Sequence, residues 1–445
     1  MRAKFFILLP ALAIVGAGPV AHAAVTFCPS PSSYSASAPK PFSLNGKSYN
    51  LIYFTGIHPA LPDMDAQVVA EASANSHLTN QVIIGESLGG LRALAYARYL
   101  DSLGKGDNVK GVITINSPVR GHAGLAYGAD RFRSNVLGIG KEISDGINTI
   151  HPNLTDMLLS LAQSYAGKSV QDMATESIGA SGDSPLAKLA GTAAGGCIPY
   201  NATLVSQLAP NSAWIQASVD GVTSHIETRR VYIGTWPVLT RCGWWCWRLT
   251  WVARYIYVNV SVANPVRTLA AKVGHVQGTD NDPLNMITAF SGDTMIRDKA
   301  KEFLPIFAKV MDASASVWDG FRQFNSFMSG ATAWMFWSST SSDFAANAQA
   351  CARKALAARK AKEWGTDLPR KYGLVLGDVN NDGFIPLKSQ SASSATLHMG
   401  AMPDPTPQLP NNHATYSRDP AIWGSDGRWG NVGSSGIIRT WLSGL

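Results

Sequence analysis

The sequence predicts an α/β fold in which a mostly parallel central sheet is flanked by helices. Three short apolar segments rich in β-branched or aromatic residues predict buried strands: Tyr49–Thr55, Gln81–Gly85 and Gly111–Asn116. Helical stretches at Asp63–His77 and Leu88–Leu103 separate these strands. Strands that alternate with helices are typical of βαβ units, which is why a parallel sheet is expected.

The composition indicates a folded protein with enough apolar material for a large core. Of the 445 residues, 46% are hydrophobic and 15% are charged, against a norm of about 25% charged. This balance excludes an intrinsically disordered chain. The formal net charge of +7 is spread along the chain, apart from one dense basic run at Arg353–Lys362. Such a run is typical of a solvated helix face, so no nucleic-acid partner is predicted.

The N-terminus has the pattern of an export signal. Arg2 and Lys4 precede an apolar run of thirteen residues, Phe5–Ala17, and Ala21–Ala23 has the small-x-small form of a cleavage site. The run is shorter than the roughly 20 residues that a membrane-spanning helix needs. We therefore expect a signal peptide over 1–23 and a secreted or periplasmic protein without a transmembrane segment.

The cysteines predict disulfides in that oxidising compartment. One or two bridges and one remaining thiol are expected from five cysteines, and two of them are near enough in sequence to pair locally. A zinc site would need more cysteine or histidine close by. The local pair is Cys242 and Cys246, and the others are Cys28, Cys197 and Cys351.

Two segments interrupt the alternation of strands and helices, and we interpret them as cap or lid insertions. Residues 119–200 are rich in Gly, Ala and Ser, and residues 238–371 carry most of the aromatic side chains. Additional strands are predicted at Arg230–Gly234 and Tyr372–Leu376. The predicted pieces of the core are 24–118, with the turn described next, 201–237, with a later strand, and 372–445.

The segment Gly85–Gly90 reads Gly-Glu-Ser-Leu-Gly-Gly and lies where a predicted strand gives way to a helix. This is the G-x-S-x-G arrangement, in which a tight turn holds the serine in a strained backbone conformation. A side chain at Gly85 or Gly89 would collide with the neighbouring strand or helix. The helix N-terminus supplies N–H groups and partial positive charge for an oxyanion. Ser87 is therefore a candidate nucleophile, and the alternative is a glycine-rich turn that only packs a βα unit.

A serine hydroxyl needs a base and an orienting acid, so candidates should follow along the chain. Asp382 comes just after a predicted strand, and His413 follows about thirty residues later in a Pro/Asn-rich stretch. The order Ser, Asp, His is the one expected with this turn. His398 is the alternative base, and Asp378 is the alternative acid.

The segment Asp378–Gly383 also matches the opening of a calcium loop, D-x-N-x-D-G. The twelfth position of such a loop should be a bidentate Glu, but this chain has Ser389 there. We therefore predict neither a metal nor a cofactor.

Taken together, these motifs resemble those of α/β-hydrolases of the secreted lipase/esterase type. The matching pieces occur in the family's order and cover about half of the chain. They are Gly85–Gly90, Ile115–Gly121, Leu208–Trp214 with the strand Val231–Gly234, Asp382–Pro386 with Ser389, and Asn412–His413.

The resemblance implies a role for each matched residue. Ser87 would be the nucleophile, His413 the general base and Asp382 the acid that orients it. The oxyanion hole would use the N–H of Leu88, which follows the nucleophile. Its second N–H would come from Ile57, which follows the early strand where the family often has His-Gly.

Three further residues are candidates for substrate contact: His58, Glu86 and Trp245. A departure from the family is that only 31 residues separate Gly56 from Ser87, where the family usually fits an extra βα unit. There is room for one helix and one strand, so the sheet is expected to be shortened.

The aromatic residues concentrate in Trp236–Tyr257, and Ser329–Ser338 adds more. One interpretation is that they fill the core of the cap, because large apolar side chains are mostly buried. The other is that some line an acyl-chain tunnel or form a lid at a lipid–water interface, where Trp is favoured. In that case Arg241, Arg248 and Arg254 are placed to touch anionic head groups.

The sequence thus predicts an exported serine hydrolase of lipid metabolism that cleaves carboxylic esters of hydrophobic acyl groups. The expected partners are an ester or lipid substrate and, transiently, a lipid–water interface. The same triad would also serve an acyltransferase, a thioesterase, a polyester depolymerase or a peptidase. A non-catalytic binding module on the same scaffold is the alternative from another class.

Overall fold

The computed structural model describes most of the chain from residue 36 onward. The predicted signal peptide and nearly all of the 119–200 segment lie outside the described residues, so both remain predictions. The described residues are 36–56, 64–122, 142, 145–146, 149, 206–243, 246–291, 294–334 and 338–445.

Nine strands and eight α-helices are present in this part of the chain. The strands are β1 (Lys40–Leu44), β2 (Lys47–Phe54), β3 (Gln81–Glu86), β4 (Val109–Ile115), β5 (Ser224–Gly243), β6 (Cys246–Ala263), β7 (Lys272–Gly278), β8 (Gly400–Ala401) and β9 (Gln408–Leu409). The helices are α1 (Met64–Asn75), α2 (Leu88–Ser102), α3 (Pro283–Ser291), α4 (Met295–Trp334), α5 (Ser338–Thr366), α6 (Leu368–Leu376), α7 (Pro420–Trp423) and α8 (Ile437–Ser443).

The fold is α/β, with a mixed central sheet whose strands are mostly parallel. Its order is β1-β2-β3-β4-β7-β8, and β9 also pairs with β7. Of the described strands in this sheet, only β1, which pairs with β2, runs antiparallel to its neighbour. The carboxyl ends of β2, β3, β4 and β7 therefore meet at one edge of the sheet, where parallel sheets commonly carry their functional loops.

Successive residues of the inner strands face opposite sides of the sheet, as the twofold period of a strand requires. Ile83 packs into one core cluster with residues of α1 and α2. Its neighbour Ile84 packs into a second cluster with Trp423 of α7 and Trp441 of α8. Because both faces of β3 are buried, its sequence is a continuous apolar run, which is why it could be recognised from the sequence.

The three principal strands and the two helices between them are confirmed. The predicted segments at 49–55, 81–85 and 111–116 correspond to β2, β3 and β4, and the helical stretches correspond to α1 and α2. Between Gly56 and Ser87 the described chain has one helix and one strand, α1 and β3, as the short spacing predicted.

The strand predicted at Tyr372–Leu376 is wrong, because this segment belongs to helix α6. The Asp367 side chain caps the helix by accepting from the Arg370 N–H. Within the helix, Tyr372 and Leu376 are four residues apart and both are buried, so they share one face. Gly377 then ends the helix in the left-handed conformation, with φ 94°.

The strand predicted at Arg230–Gly234 does form, but not in the central sheet. It is part of β5, which among the described strands pairs only with β6, in a separate two-stranded sheet. The central sheet instead takes β7, Lys272–Gly278, from within the 238–371 segment.

Strand β7 was not predicted because polar residues interrupt its apolar pattern. His275 is buried, and its ring bonds Thr114 Oγ1 at 2.7 Å and the Ala392 carbonyl oxygen at 3.0 Å. Gln277 is also buried, and it donates to Ser391 Oγ at 2.9 Å. Buried polar groups are tolerated where such partners exist, but the partners are distant in sequence.

Helices α4 and α5 form a long antiparallel hairpin. Ion pairs cross between them, from Arg359 to Asp319 and from Lys362 to Asp312. Cys351 of α5 is buried and forms no disulfide. Cys28, Cys197 and the side chains of Cys242 and Cys246 lie outside the described residues, so the predicted disulfides remain untested. Among the helices that the structure describes, none combines the length and apolarity needed to cross a membrane.

Candidate active site

Ser87 lies on a strained turn between β3 and α2. Its backbone angles are φ 49° and ψ −131°, a conformation that residues with a side chain rarely adopt. The Ser87 N–H donates to the Ile115 carbonyl oxygen of β4 at 3.0 Å, and Gly90 N–H donates to the Ser87 carbonyl oxygen at 3.1 Å. The strain expected from the sequence is therefore present, and hydrogen bonds to neighbouring elements hold it.

There is no room for a side chain at the glycines around Ser87. A Cβ at Gly85 would stand 2.4 Å from the Gly89 carbonyl oxygen. A Cβ at Gly89 would stand 2.0 Å from the Phe54 carbonyl oxygen at the end of β2, and one at Gly90 would stand 2.0 Å from Ser117 Oγ. The first turn of α2 is thus pressed against the ends of β2 and β4, as the motif predicted.

Three side chains form a continuous hydrogen-bonded chain at the carboxyl edge of the sheet. His413 Nε2 lies 3.0 Å from Ser87 Oγ. The other ring nitrogen, Nδ1, lies 2.9 Å from Asp382 Oδ2. The structure therefore brings together Ser87, Asp382 and His413, although 326 residues separate the first from the last.

The loop that carries Asp382 fixes its carboxylate. Oδ1 accepts the N–H groups of Phe384, at 3.0 Å, and Ile385, at 2.6 Å, which leaves Oδ2 for His413. The backbone is tied as well, because His413 N–H donates to the Asp382 carbonyl oxygen at 2.8 Å. The side chain of Asp382 is 0% exposed and that of His413 is 12% exposed, so both have little contact with solvent.

This arrangement determines which ring nitrogen of His413 carries the proton when the ring is neutral. An ionised carboxylate can only accept, so Asp382 favours the proton on Nδ1. Nε2 then presents a lone pair to the Ser87 hydroxyl. This is the tautomer that a general base needs.

A second set of polar residues holds the histidine loop against the sheet. Asn116 follows β4, and its side-chain amide donates to Asn411 Oδ1 at 3.1 Å and to the Asn412 carbonyl oxygen at 3.2 Å. The Asn412 side chain donates to Asp280, which follows β7, at 3.1 Å. Sequence reasoning missed both as site residues. For Asn116 the position at the end of a predicted strand was an available signal, whereas Asp280 follows β7, which the sequence did not reveal.

His122 contacts the loop that carries Asp382, and it was also missed as a site residue. It is buried, and its Nε2 lies 2.9 Å from the Phe384 carbonyl oxygen. Burial lowers the pKa of His122 to about 4, so at neutral pH the ring is uncharged and donates to that carbonyl through Nε2–H. Phe384 in turn packs against His413, with ring centroids 5.3 Å apart.

Charges around His413 set its proton affinity. Burial by itself lowers the pKa of His413, but the charge and hydrogen bond of Asp382, together with the charge of Glu86, outweigh burial and raise the pKa above 6.5. Burial raises the pKa of Glu86, while His413, the Gly56 N–H and Arg92 counteract it. The Gly56 N–H donates to Glu86 Oε1 at 3.3 Å. Glu86 therefore lies beside the triad, where it influences His413.

The remaining predicted residues fall into two groups. Leu88 is the first residue of α2, where backbone N–H groups have no acceptor within the helix. Ile57, His58 and Trp245 lie outside the described residues, so their roles remain predictions.

Neither alternative residue occupies the place of the base or the acid. His398 lies on a turn with φ 47°, and its carbonyl oxygen accepts from Leu269. Asp378 accepts from the Asn380 N–H at 3.1 Å and pairs with Lys388 at 3.7 Å. Within the residues that the structure describes, no group of three or more His, Cys, Asp or Glu side chains is arranged to hold a metal ion.

Comparison with protein-family models, curated proteins and solved structures finds no match to this chain. The site is therefore interpreted from its own geometry. That geometry defines an α/β protein with a Ser-His-Asp constellation at the carboxyl edge of its sheet.

The close packing of the turn between β3 and α2 predicts that two Gly→Ala substitutions have opposite effects on stability. Gly89→Ala should lower the free energy of unfolding by about 3 kcal/mol, because backbone atoms must move to admit the methyl group. Gly320→Ala is the matched control, since a Cβ there meets nothing within 4 Å. It should raise the free energy of unfolding by about 0.5–1 kcal/mol, because alanine favours the helix. Urea unfolding measures both, and equal effects would contradict the packing.

The charges near His413 predict the direction of a titration shift. In a ¹H NMR titration the His413 ring should titrate above pH 6.5. Glu86→Gln removes a negative charge that favours the protonated ring, so the midpoint should move to lower pH. Asp382→Asn should lower it as well, because it removes the charge that is hydrogen-bonded to Nδ1. A midpoint that does not change in Glu86→Gln would show that Glu86 carries no charge beside the ring.

Proposed function

We propose that the protein is an α/β-hydrolase of the secreted lipase/esterase type that cleaves carboxylic esters through an acyl-enzyme. The observation that carries the proposal is the chain from Ser87 Oγ through His413 to Asp382, with links of 3.0 and 2.9 Å. Serine hydrolysis needs a hydroxyl, a base with the correct tautomer and an acid that fixes that tautomer. All three are present on one sheet edge, and the serine lies on a turn of the G-x-S-x-G type.

In the proposed reaction, Ser87 Oγ attacks the carbonyl carbon of the ester while His413 Nε2 accepts the hydroxyl proton. The carbonyl π bond opens, and its electron pair moves to the oxygen, which becomes an oxyanion. The Leu88 N–H at the start of α2 is placed to stabilise this charge, and Ile57 is the candidate for the second N–H. Asp382 stays ionised and stabilises the imidazolium.

Collapse of the tetrahedral intermediate breaks the ester bond. His413 returns its proton to the departing alkoxide, which leaves as an alcohol, and the acyl group remains on Ser87. Water then attacks the acyl-enzyme, with His413 again taking the proton and passing it back to Ser87. The free acid leaves and the resting site is restored.

The substrate is proposed to carry a hydrophobic acyl group. The support is the aromatic content of the 238–371 segment together with the export signal predicted over 1–23. The same triad would transfer the acyl group to an acceptor other than water, or would open a thioester, polyester or amide bond. A non-catalytic scaffold is less well supported, because the strained conformation of Ser87 costs about 1–3 kcal/mol, and such strain concentrates at functional sites.

Substitution of the serine tests the proposal. Ser87→Ala should lower kcat on p-nitrophenyl esters by about 10⁴-fold or more, because the nucleophile is lost. The matched control is Ser102→Ala at the other end of α2, where the hydroxyl is exposed and bonds only locally to the Tyr99 carbonyl oxygen. Its activity should equal that of the unchanged protein. Turnover retained in Ser87→Ala would contradict the proposal.

A substrate panel with Ser87→Ala as blank separates the reaction types. Short soluble esters, emulsified triglycerides, phospholipids, thioesters, polyesters and peptides should be compared, with and without an alcohol acceptor. Fastest turnover on esters of long acyl chains would support the lipase/esterase proposal. Preference for the alcohol over water would identify an acyltransferase instead.

A further inference from the structure

The strands β5 and β6 form a long two-stranded hairpin that exposes large apolar side chains. They pair antiparallel from Ser224↔Ala263 to Gly243↔Cys246, with a bulge between Tyr232 and Gly234. Among the side chains that the structure describes here, the exposed apolar ones include Ile226, Tyr232, Trp236, Trp251, Tyr255 and Tyr257.

For the aromatic side chains that the structure describes, the degree of exposure favours one of the two interpretations. Trp236 is 55% exposed, Trp251 is 65% exposed and Tyr257 is 71% exposed. These side chains therefore do not fill the core of a cap. A soluble surface rarely shows contiguous apolar patches of this kind unless the patch binds something.

Both faces of the hairpin contribute to the exposed surface. Tyr255 and Tyr257 belong to one face, because they alternate along β6 and pair with Tyr232 and Arg230. Val252 and Ile256 belong to the other face. Exposed apolar side chains are thus available for contact on either face.

The hairpin is strongly cationic as well as aromatic. Residues 224–263 contain five Arg, one Glu and no Lys or Asp, and they hold five of the thirteen Trp. The only acid, Glu227, pairs with Arg229 at 3.1 Å. Two other arginines stack on aromatic rings, Arg230 on Tyr255 at 3.6 Å and Arg254 on Trp236 at 5.1 Å. Cation and ring are thus presented side by side.

We propose that the β5–β6 hairpin docks the protein onto an anionic lipid surface. Tyr and Trp side chains suit the head-group region, because one end of the ring system is apolar and the other is polar. Arginine beside them pairs with lipid phosphates. A two-stranded sheet has unpaired edges, so it cannot cross the hydrocarbon core and lies in the interfacial layer instead.

Charge disfavours a second copy of the chain as the occupant of this surface. Each hairpin carries five Arg against one Glu, so two hairpins brought together would repel each other. An anionic lipid surface complements the same charge. The inference does not depend on the proposed hydrolase activity, because binding is measured on protein that lacks the Ser87 hydroxyl.

Vesicle binding tests the proposal. The Ser87→Ala protein should co-sediment with vesicles of phosphatidylglycerol mixed with phosphatidylcholine, and more weakly with phosphatidylcholine alone. Binding should weaken as salt increases, because exposed charges are screened. Arg230→Gln with Arg254→Gln should weaken binding about 30-fold, since each arginine near an anionic surface contributes about 1 kcal/mol. Trp236→Ser with Trp251→Ser should also weaken it, by about tenfold or more.

A matched pair of substitutions controls for net charge. Lys47→Gln with Arg428→Gln removes two exposed cations outside the hairpin, from the start of β2 and from the loop after α7. This protein should bind the mixed vesicles as the parent does. Unfolding midpoints in urea should be unchanged in all three double variants, which shows that loss of binding is not loss of fold.

Three results would overturn the proposal. The first is equal binding to both kinds of vesicle. The second is binding that survives the hairpin substitutions but is lost in Phe324→Ser with Phe327→Ser, which would place the lipid-binding surface on α4, where these phenylalanines are exposed. The third is a dimer in sedimentation velocity that the Trp236→Ser, Trp251→Ser protein fails to form, which would identify a second copy as the partner.

Discussion

The site depends on one close approach of backbone to backbone, between the first turn of α2 and the end of β2. There is no space for a side chain at Gly89, whose Cβ would stand 2.0 Å from the Phe54 carbonyl oxygen. That approach forces the chain to turn sharply out of β3, which places Ser87 at φ 49°. The helix then begins directly after the serine, at Leu88, so its first N–H groups follow Ser87 in the chain. Ser87 and the first residues of α2 are thus positioned by a single packing constraint.

His413 and Asp382 lie on loops, and residues at the edge of the sheet hold those loops in place. Asn116 and Asp280 follow neighbouring parallel strands and bind the backbone and side chain of the histidine loop. Asp382 is held by two N–H groups of its own turn. Each link is an ordinary hydrogen bond, yet together they position two ring nitrogens of His413 within hydrogen-bonding distance of two different groups. Preorganisation of this kind is what nucleophilic catalysis requires.

The parts of the fold that were predictable are those in which local pattern and burial agree. β3 is buried on both faces, so its sequence is an apolar run. The glycines that flank Ser87 indicate a turn in which only glycine fits. β7 could not be found in this way, because His275 and Gln277 are stable in the core only through partners more than a hundred residues away. The segment 372–376 was mistaken for a strand because five residues show too little of the period that distinguishes a helix.

The site could be predicted to a similar extent and for similar reasons. Ser87, Asp382 and His413 lie in short motifs that carry their own turn chemistry, so each was recognisable separately. His122 was missed because its hydrogen bond is to Phe384, 262 residues away in the sequence. The sequence also could not show whether the aromatic hairpin is exposed. An alternating apolar strand has the same pattern whether a protein core or a lipid surface covers it.

The most direct test of the central claim is the reaction of the protein with a fluorophosphonate, followed by intact-mass spectrometry and peptide mapping. The account predicts one covalent adduct, located on Ser87, which forms at pH 8 and is abolished in His413→Ala. An adduct at another residue would contradict it, as would a folded protein that does not react at all.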